Sequence, residues 1–490
     1  MTKAKLSEKI GYGFGDMSSS MFWKIFSYYL PFFYSNIFGL SLAHAGTLLL
    51  VTKLYDAISD PVMGLIADRT STRWGKYRPY LLWIALPFAI AGILAFYTPQ
   101  TDNYTFKHIY AYATYILMMT VYTAINVPYG AMLGVVTDDS REKSVFSSFR
   151  MFFAFIGSFI SMGIFEPLLR LRSSVLGTLP EKWTIADSAP LDWTIALTVI
   201  GTICAVLFFL TFAMTREHVT ESEMAKAEET HKEEKKNSIM EDLKALFCNA
   251  PWWLLLGGGI SLLLFNCIRG GAAAYYFADV LGVKAIYTLA IFLTVGEISQ
   301  LVGVVVTVPV SEKIGKKATF IAVLVAITVF AAAVAVLPDT PAGMWMLMAA
   351  QILICIAIGI SSPLLWSMFA DVADYSEYKN GSASTGLIFS SSSMAQKFGA
   401  AFGSAIVLWV LMAFGYDNAK DAVQTPEALA TIKALISWIP AVGSAVGVLI
   451  MAFYPLTDRK MRQHHRHTPR CGRIHRMLYG LQQREAVLQA

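Results

Sequence analysis

Charge is scarce in this sequence. Asp, Glu, Lys and Arg make up 15% of its 490 residues, against about 25% in soluble proteins. A soluble chain of this length would split into several domains, each needing its own polar surface. There is too little polar material to coat such surfaces. The five cysteines, Cys204, Cys248, Cys267, Cys355 and Cys471, are scattered without paired spacing. That pattern suggests neither a disulfide framework nor a zinc site. No Gly-x-x-x-x-Gly-Lys-Ser/Thr loop occurs, so an ATP-driven pump is unsupported. Strand-type alternation is missing, and no cleavable signal peptide is expected ahead of the first apolar run.

What the chain has instead is apolar length. Hydrophobic residues reach 56% and mean hydropathy is +0.53. Apolar stretches recur from Ile25 to Tyr454, each long enough to cross a bilayer as a helix. Backbone groups in lipid must be satisfied internally, which leaves helices once strands are excluded. The expected fold is all-α and integral to the membrane, with about twelve spans at 12–38, 43–66, 79–98, 107–136, 145–169, 191–214, 250–280, 285–310, 318–338, 343–370, 384–414 and 429–454. The largest polar interruption, Thr215–Lys244, divides them into two six-helix bundles. The expected organisation is 1–214, a central loop 215–249, 250–456, and a basic tail 457–490. The loops Asp68–Arg78 and Glu312–Lys317 are basic, whereas Thr98–Phe106 and Pro338–Gly343 have almost no Lys or Arg. The positive-inside rule therefore places both termini and the central loop in the cytoplasm. The halves also repeat. Each has a basic glycine-containing loop after its second span (Gly75-Lys76; Gly315-Lys316-Lys317) and an acidic loop after its fourth (Thr137–Lys143; Asp371–Lys379). Two parallel six-helix repeats predict the major facilitator fold, with solute bound at midplane.

Ionisable residues in hydrocarbon are costly unless they face a cavity or a partner, so they point to function. The second span carries Lys53, Asp56, Ser59 and Asp60. Asp56 and Asp60 are four apart and share a face. Two adjacent carboxylates need a counter-charge. A bound Na⁺, Li⁺ or proton would supply it, with Ser59 and, from the fourth span, Thr123 and Asn126 completing an oxygen cage. The competing reading is that Lys53 or Arg150 neutralises the pair. In the first span, Asp16, Ser20 and Lys24 share one face. Lys24 either meets a solute or pairs with Asp16. Arg150, Arg269 and Lys397, the last following Ser393 in the eleventh span, are candidate substrate or gating residues. A boundary arginine such as Arg150 also serves as an interface anchor. Glu297 and Gln300 stand in the eighth span where Asp56 and Asp60 stand in the second, as remnants of the repeat or as substrate contacts. Aromatic residues total 13%. Sugars have apolar ring faces and polar rims, and Tyr122 and Trp366 are the aromatic candidates for a sugar pocket.

Combined motifs carry a family resemblance. Tyr12-Gly-Phe-Gly-Asp16, Leu54-Tyr-Asp-Ala-Ile-Ser-Asp-Pro61, Arg73-Trp-Gly-Lys-Tyr-Arg-Pro79, Asn126-Val-Pro-Tyr129, Ala370-Asp-Val-Ala-Asp-Tyr-Ser-Glu-Tyr-Lys379 and Lys397-Phe-Gly399 resemble the glycoside–pentoside–hexuronide:cation symporters. The likeness runs from the N-terminus to about Pro455. It implies that Asp56 and Asp60 are cation-binding aspartates, with Thr123 beside them, and that Arg150 and Lys397 serve sugar binding or transport. Asn126 stands where the family's melibiose permease has an aspartate, so the choice between Na⁺ and H⁺ stays open. If Na⁺ couples, Asp56 and Asp60 hold the metal ion. Ser20 stands where that permease holds its galactoside with an aspartate, and Ser19 replaces a nearby lysine. Melibiose is therefore not the expected substrate. Lys24, Arg150, Arg269 and Lys397 admit an acidic sugar, with pentosides and neutral glycosides still open.

The expected function is secondary active symport of a sugar, glycoside or uronide with Na⁺ or H⁺ by alternating access, in a bacterial inner membrane. No cofactor, nucleic acid or catalysis is expected, and the expected partners are membrane lipid and the solute of a monomeric carrier. The rivals are a lipid-modifying membrane enzyme, and a transporter-like sensor or lipid scramblase. An enzyme needs polar catalytic clusters at one membrane face, whereas these charges lie mid-span. The tail from Asp458 holds eight Lys/Arg against two acids, with His464, His465, His467 and His475. It reads as a disordered cytoplasmic segment near anionic lipid, with a weak metal site as a lesser alternative.

Overall fold

The computed structural model describes residues 5–137, 140–180, 183–217, 246–338, 340–380, 385–419 and 422–457. The basic tail lies outside them, as does most of the central loop. Among the described residues the chain is helical, and the one strand-like contact is an isolated bridge between Thr72 and Gly75.

Six helical runs precede residue 218: α1 (Leu6–Tyr28), α2 (Leu42–Asp68), α3 (Arg78–Ala95), α4 (Tyr104–Val136), α5 (Ser140–Val175) and α6 (Pro190–Met214). Six more follow residue 245: α7 (Ala250–Tyr275), α8 (Leu289–Ile314), α9 (Lys316–Val334), α10 (Pro341–Asn380), α11 (Thr385–Ala413), and a last run made of α12 (Pro426–Ile436) and α13 (Trp438–Ala452). Nine helices among the described residues are long and apolar enough to span a membrane. The other three runs are α1, α2 and α11, and these carry Asp16 and Lys24, Asp56 and Asp60, and Lys397.

Local chemistry sets the ends of these helices. Side chains of Ser41, Asn103, Asn249, Thr288 and Thr425 accept a backbone N–H from the first turn of α2, α4, α7, α8 and α12. Proline opens α3, α6, α7 and α12, where its missing N–H costs nothing. Two boundaries differ from expectation. The acidic stretch Asp371–Lys379 is no loop: α10 runs through it to Asn380. Polar residues can continue a helix beyond lipid where no Gly or Pro interrupts it, and Asp371–Lys379 holds neither. The last span is broken at Ser437 (φ −128°, ψ −85°), so it is two helices.

The repeat is visible in three dimensions. Both basic loops turn at a glycine with positive φ, Gly75 (113°) and Gly315 (88°). In the first half the Glu217 carboxylate accepts the N–H groups of Lys76, Tyr77 and Arg78 at 2.7–2.8 Å, an anion seated on a helix N-terminus. In the second half Asp371 pairs with Lys316 at 2.7 Å. Both α1 and α7 pass into π-helical turns at their C-terminal ends, Phe33–Ile37 and Tyr276–Leu281.

The two halves meet along α1 with α7, α2 with α11, and α5 with α8. These contacts favour the end of the bundle opposite the basic loops. There Ser35 bonds Tyr275 (2.7 Å), the Asn36 amide donates to Tyr416 (2.7 Å), and Asn418 caps the carbonyls of Ser35 and Leu40 (2.8 Å each). Glu166 on α5 accepts the Ala290 N–H that opens α8 (2.6 Å). The apolar core follows the same asymmetry. One cluster joins the first half to residues of the second half near this end, such as Tyr275, Phe292, Val407 and Leu435. A separate cluster, including Leu255, Phe320, Phe369 and Met451, fills the basic-loop end of the second half alone. Among the described residues the two halves are therefore sealed together mainly at the end opposite the basic loops.

Candidate functional site

Helices α2 and α4 place the acidic pair. Asp56 is buried and Asp60 half-buried, both on the α2 face toward α4 and α11. The Thr123 hydroxyl lies 2.9 Å from Asp56 Oδ1 and 3.1 Å from Asp60 Oδ1, and can donate to one at a time. Ser59 Oγ stands 3.3 Å from Thr123 Oγ1 and donates to the Asp56 carbonyl. Four oxygen-bearing side chains thus converge, the donor chemistry a hard monovalent cation takes. Among the described residues no group of three or more His, Cys, Asp or Glu that could hold a metal ion is found, here or elsewhere.

The counter-charge comes from the other half. Lys397 on α11 reaches across, its Nζ 3.0 Å from Asp56 Oδ2 and in contact with Asp60 Oδ2. Neither Lys53 nor Arg150 neutralises the pair. The Lys53 ammonium lies over the Trp23 ring, 4.3 Å from its centroid. Arg150 binds Asp16 side-on through Nε (3.0 Å) and Nη2 (3.4 Å) and covers the Tyr129 ring. Asn126 is turned away from the carboxylates. Its Oδ1 accepts from Ser19 (2.6 Å), and its Nδ2 donates to the Tyr122 carbonyl (3.0 Å).

Lys24 does not pair with Asp16. Its Nζ sits 2.6 Å from Glu297 Oε1 on α8, a buried contact between the halves. Beside it Arg269 on α7 donates through Nη1 to Gln351 on α10 and packs over Phe292. Glu297 and Gln300 therefore do join a polar cluster, as Asp56 and Asp60 do in the first half. Ser20 is half-buried on the same face of α1 as Asp16 and Lys24. The Tyr122 ring stacks 6.2 Å from Phe88 and tilts against Trp23. Trp366 is 37% exposed on α10, its ring 6.0 Å from Phe369. The Ser393 side chain lies outside the described residues.

Sequence reasoning missed three participants. Trp23 was one aromatic among many in an aromatic span. Gln351 carries no charge to draw notice in α10. Glu166, which bonds Arg170 (2.5 Å) as well as the start of α8, is an acid inside an apolar run and was detectable on that ground. A cavity of about 670 Å³ between α5 and α8, lined by Gly163, Pro167, Leu171, Ala290, Ile291 and Val295 among others, is largely apolar and lies away from the carboxylates. Chemistry rather than size locates the site.

Comparison with known proteins identifies the family and the fold. Residues 11–458 match the model of the family described as MFS/sugar transport protein. The putative glycoside/cation symporter YagG of Escherichia coli K12 is 34% identical over 94% of both chains. The isoprimeverose transporter of Lactiplantibacillus pentosus is 31% identical, covering 91% of this chain and 88% of its own. Among solved structures, the inward open conformation of the xylose transporter XylE from E. coli superposes with a TM-score of 0.55 over 92% of this chain and 95% of its own, at 13% identity, which speaks to the fold alone. The chain belongs to the MFS/sugar transport protein family, and its fold is that of the major facilitators.

Proposed function

We propose that this member of the family is a symporter, not an enzyme, coupling entry of a sugar, glycoside or uronide to a monovalent cation held at Asp56 and Asp60. The single observation that carries the reading is the acidic pair of one half gripped by a lysine of the other. Two carboxylates and one ammonium leave a net negative charge inside a membrane protein, which a cation relieves. Ser59 and Thr123 supply the neutral oxygens. The site suits Na⁺ through four side-chain oxygens, and it suits H⁺ through either carboxylate.

The geometry supports a specific coupling. With the basic loops cytoplasmic, as the positive-inside rule directs, the sealed end faces outward. That arrangement is the one expected of an inward-facing state. Lys397 contributes in it the charge that a cation contributes elsewhere in the cycle, so the acidic pair is never uncompensated while the halves exchange. An arriving cation competes with Lys397 and loosens α2 from α11. Solute bound between the halves then favours closure again. By linkage, solute raises cation affinity by the factor that cation raises solute affinity. On the first-half wall, Asp16, Arg150, Ser19, Ser20 and Asn126 offer donors and acceptors to a sugar rim, and Trp23 and Tyr122 offer apolar faces.

The test is uptake into proteoliposomes from a panel of neutral and acidic glycosides under an imposed Na⁺ or H⁺ gradient. Accumulation under one gradient, abolished in Asp60→Asn, is expected. Unchanged accumulation in Asp60→Asn would remove that residue from the coupling site. No accumulation of any glycoside by folded protein would favour a sensor or scramblase.

A further inference from the structure

Two arginines among the described residues engage carboxylates by one edge, whereas Arg170 meets Glu166 through Nη2 alone. Arg150 meets Asp16, and Arg172 meets Asp192, each through Nε and Nη2 together. That edge presents two parallel N–H groups spaced to match the two oxygens of a carboxylate. Arg269 keeps the same edge empty. Its Nη1 is taken by Gln351, whereas Nε and Nη2 are buried and unpartnered. The residue is 6% exposed, so those donors are shielded from bulk solvent. A buried unsatisfied donor costs about 1–3 kcal/mol, and more when charged.

The surroundings sharpen the anomaly. Arg269 lines a cavity of about 20 Å³ with Tyr28, Glu297, Gln300, Gln351 and Cys355. The charged groups there are Arg269, Lys24 and Glu297, which leaves one positive charge in excess. Glu297, a single carboxylate, is paired with Lys24 through Oε1, and no hydrogen bond joins it to Arg269. In this state the cavity has room for about one water. Tyr28 belongs to α1, as does Lys24 on the adjoining Glu297, while the other lining groups belong to the second half, so the chamber widens whenever the halves part at the sealed end. The hydrogen-bond donors, the excess charge and the placement between the halves all call for the same thing, a single anionic group arriving with the solute.

We propose that the Nε–Nη2 edge of Arg269 is a subsite for the carboxylate of an acidic sugar, making this carrier selective for uronides over the matching neutral glycosides. The proposal rests on the symport reading and narrows its substrate class. Gln351 fixes the guanidinium plane by holding Nη1, and Glu297 draws Lys24 aside so that one positive group, not two, faces the solute. With the solute's carboxylate in place the chamber is electrically neutral, which permits closure around it in a low-dielectric setting.

Matched pairs test this: methyl β-D-glucuronide against methyl β-D-glucoside, and methyl β-D-galacturonide against methyl β-D-galactoside, each measured for binding and for gradient-driven accumulation in the same proteoliposomes. The wild-type protein is expected to favour the acidic member of at least one pair by about 10- to 100-fold, the range for a charge-assisted bidentate pair. Arg269→Gln should collapse that ratio, and Arg269→Lys, which keeps the charge but not the fork, should restore only part of it. Preference for the neutral members, or equal loss of both members in Arg269→Gln, overturns the subsite while leaving symport standing. Wild-type accumulation of neither member of any pair overturns the selectivity, and failure across the broader glycoside panel overturns symport itself.

Discussion

If Lys397 competes with the coupling cation, removing its charge must tighten cation binding. The variant is Lys397→Gln, which keeps most of the volume. At the 3.0 Å contact with Asp56 Oδ2, an effective dielectric constant of about 20 gives roughly 5–6 kcal/mol of attraction. Screening reduces this, because the Lys397 and Asp60 side chains are 28% and 32% exposed. A net figure of about 2 kcal/mol is appropriate, near the lower end for truncating one partner of a desolvated pair. A competitor worth that much weakens cation binding by about 30-fold. Lys397→Gln should therefore bind Na⁺, or the proton if that is the coupling ion, about 30-fold more tightly without sugar, by calorimetry on purified protein. Gradient-driven accumulation should fall in the same variant, since the empty carrier then carries two carboxylates with no internal counter-charge. Tighter binding with lost accumulation is the signature of a tethered competitor. Unchanged or weaker cation binding would refute the competition, and would leave Lys397 as a static brace between α2 and α11.

Glu297→Gln leaves the Lys24 ammonium buried without its anion, at a cost of about 3 kcal/mol. That cost falls on the state in which the halves meet at Lys24, so the sealed end should open. Ser35→Cys, fully buried there, should react with an impermeant maleimide faster in the Glu297→Gln background, and equal rates would deny the pair a gating role. Helix crossings give a further expectation. A Cβ on Gly157 would stand 2.4 Å from the Met17 carbonyl oxygen of α1, and one on Gly359 would stand 2.1 Å from the Gln300 carbonyl oxygen of α8. Both obstacles are backbone, so Gly157→Ala and Gly359→Ala should each cost about 1–3 kcal/mol and lower Tm in detergent, whereas Gly130→Ala, with nothing within 4 Å, should not.

Much of this architecture is legible in order along the chain. Apolar length sets the spans, because a helix must satisfy its own backbone in lipid. The two basic loops, each with its glycine, mark the repeat, and the structure shows both turning at positive φ. Asp56 and Asp60 stand out because two acids one helical turn apart in an apolar run demand an explanation. What α10 does beyond residue 370 was less legible, since polar composition alone does not distinguish a loop from a helix leaving the bilayer.

Pairing was the part that sequence withheld. Asp16 and Lys24 share a face of α1, but eight positions are about 12 Å along a helix axis, too far for direct contact. Their partners are Arg150, 134 residues away, and Glu297, 273 residues away. Lys397 lies 337 residues from Asp60. Composition and periodicity establish which side chains must hide from lipid and on which face of their own helix. Which helices then lie side by side, whether Arg269 has a carboxylate on its fork, and at which end the two halves are sealed are properties of packing between distant segments. Helix neighbours in space are not neighbours in sequence, so the charges were identifiable one by one while their couplings required the fold.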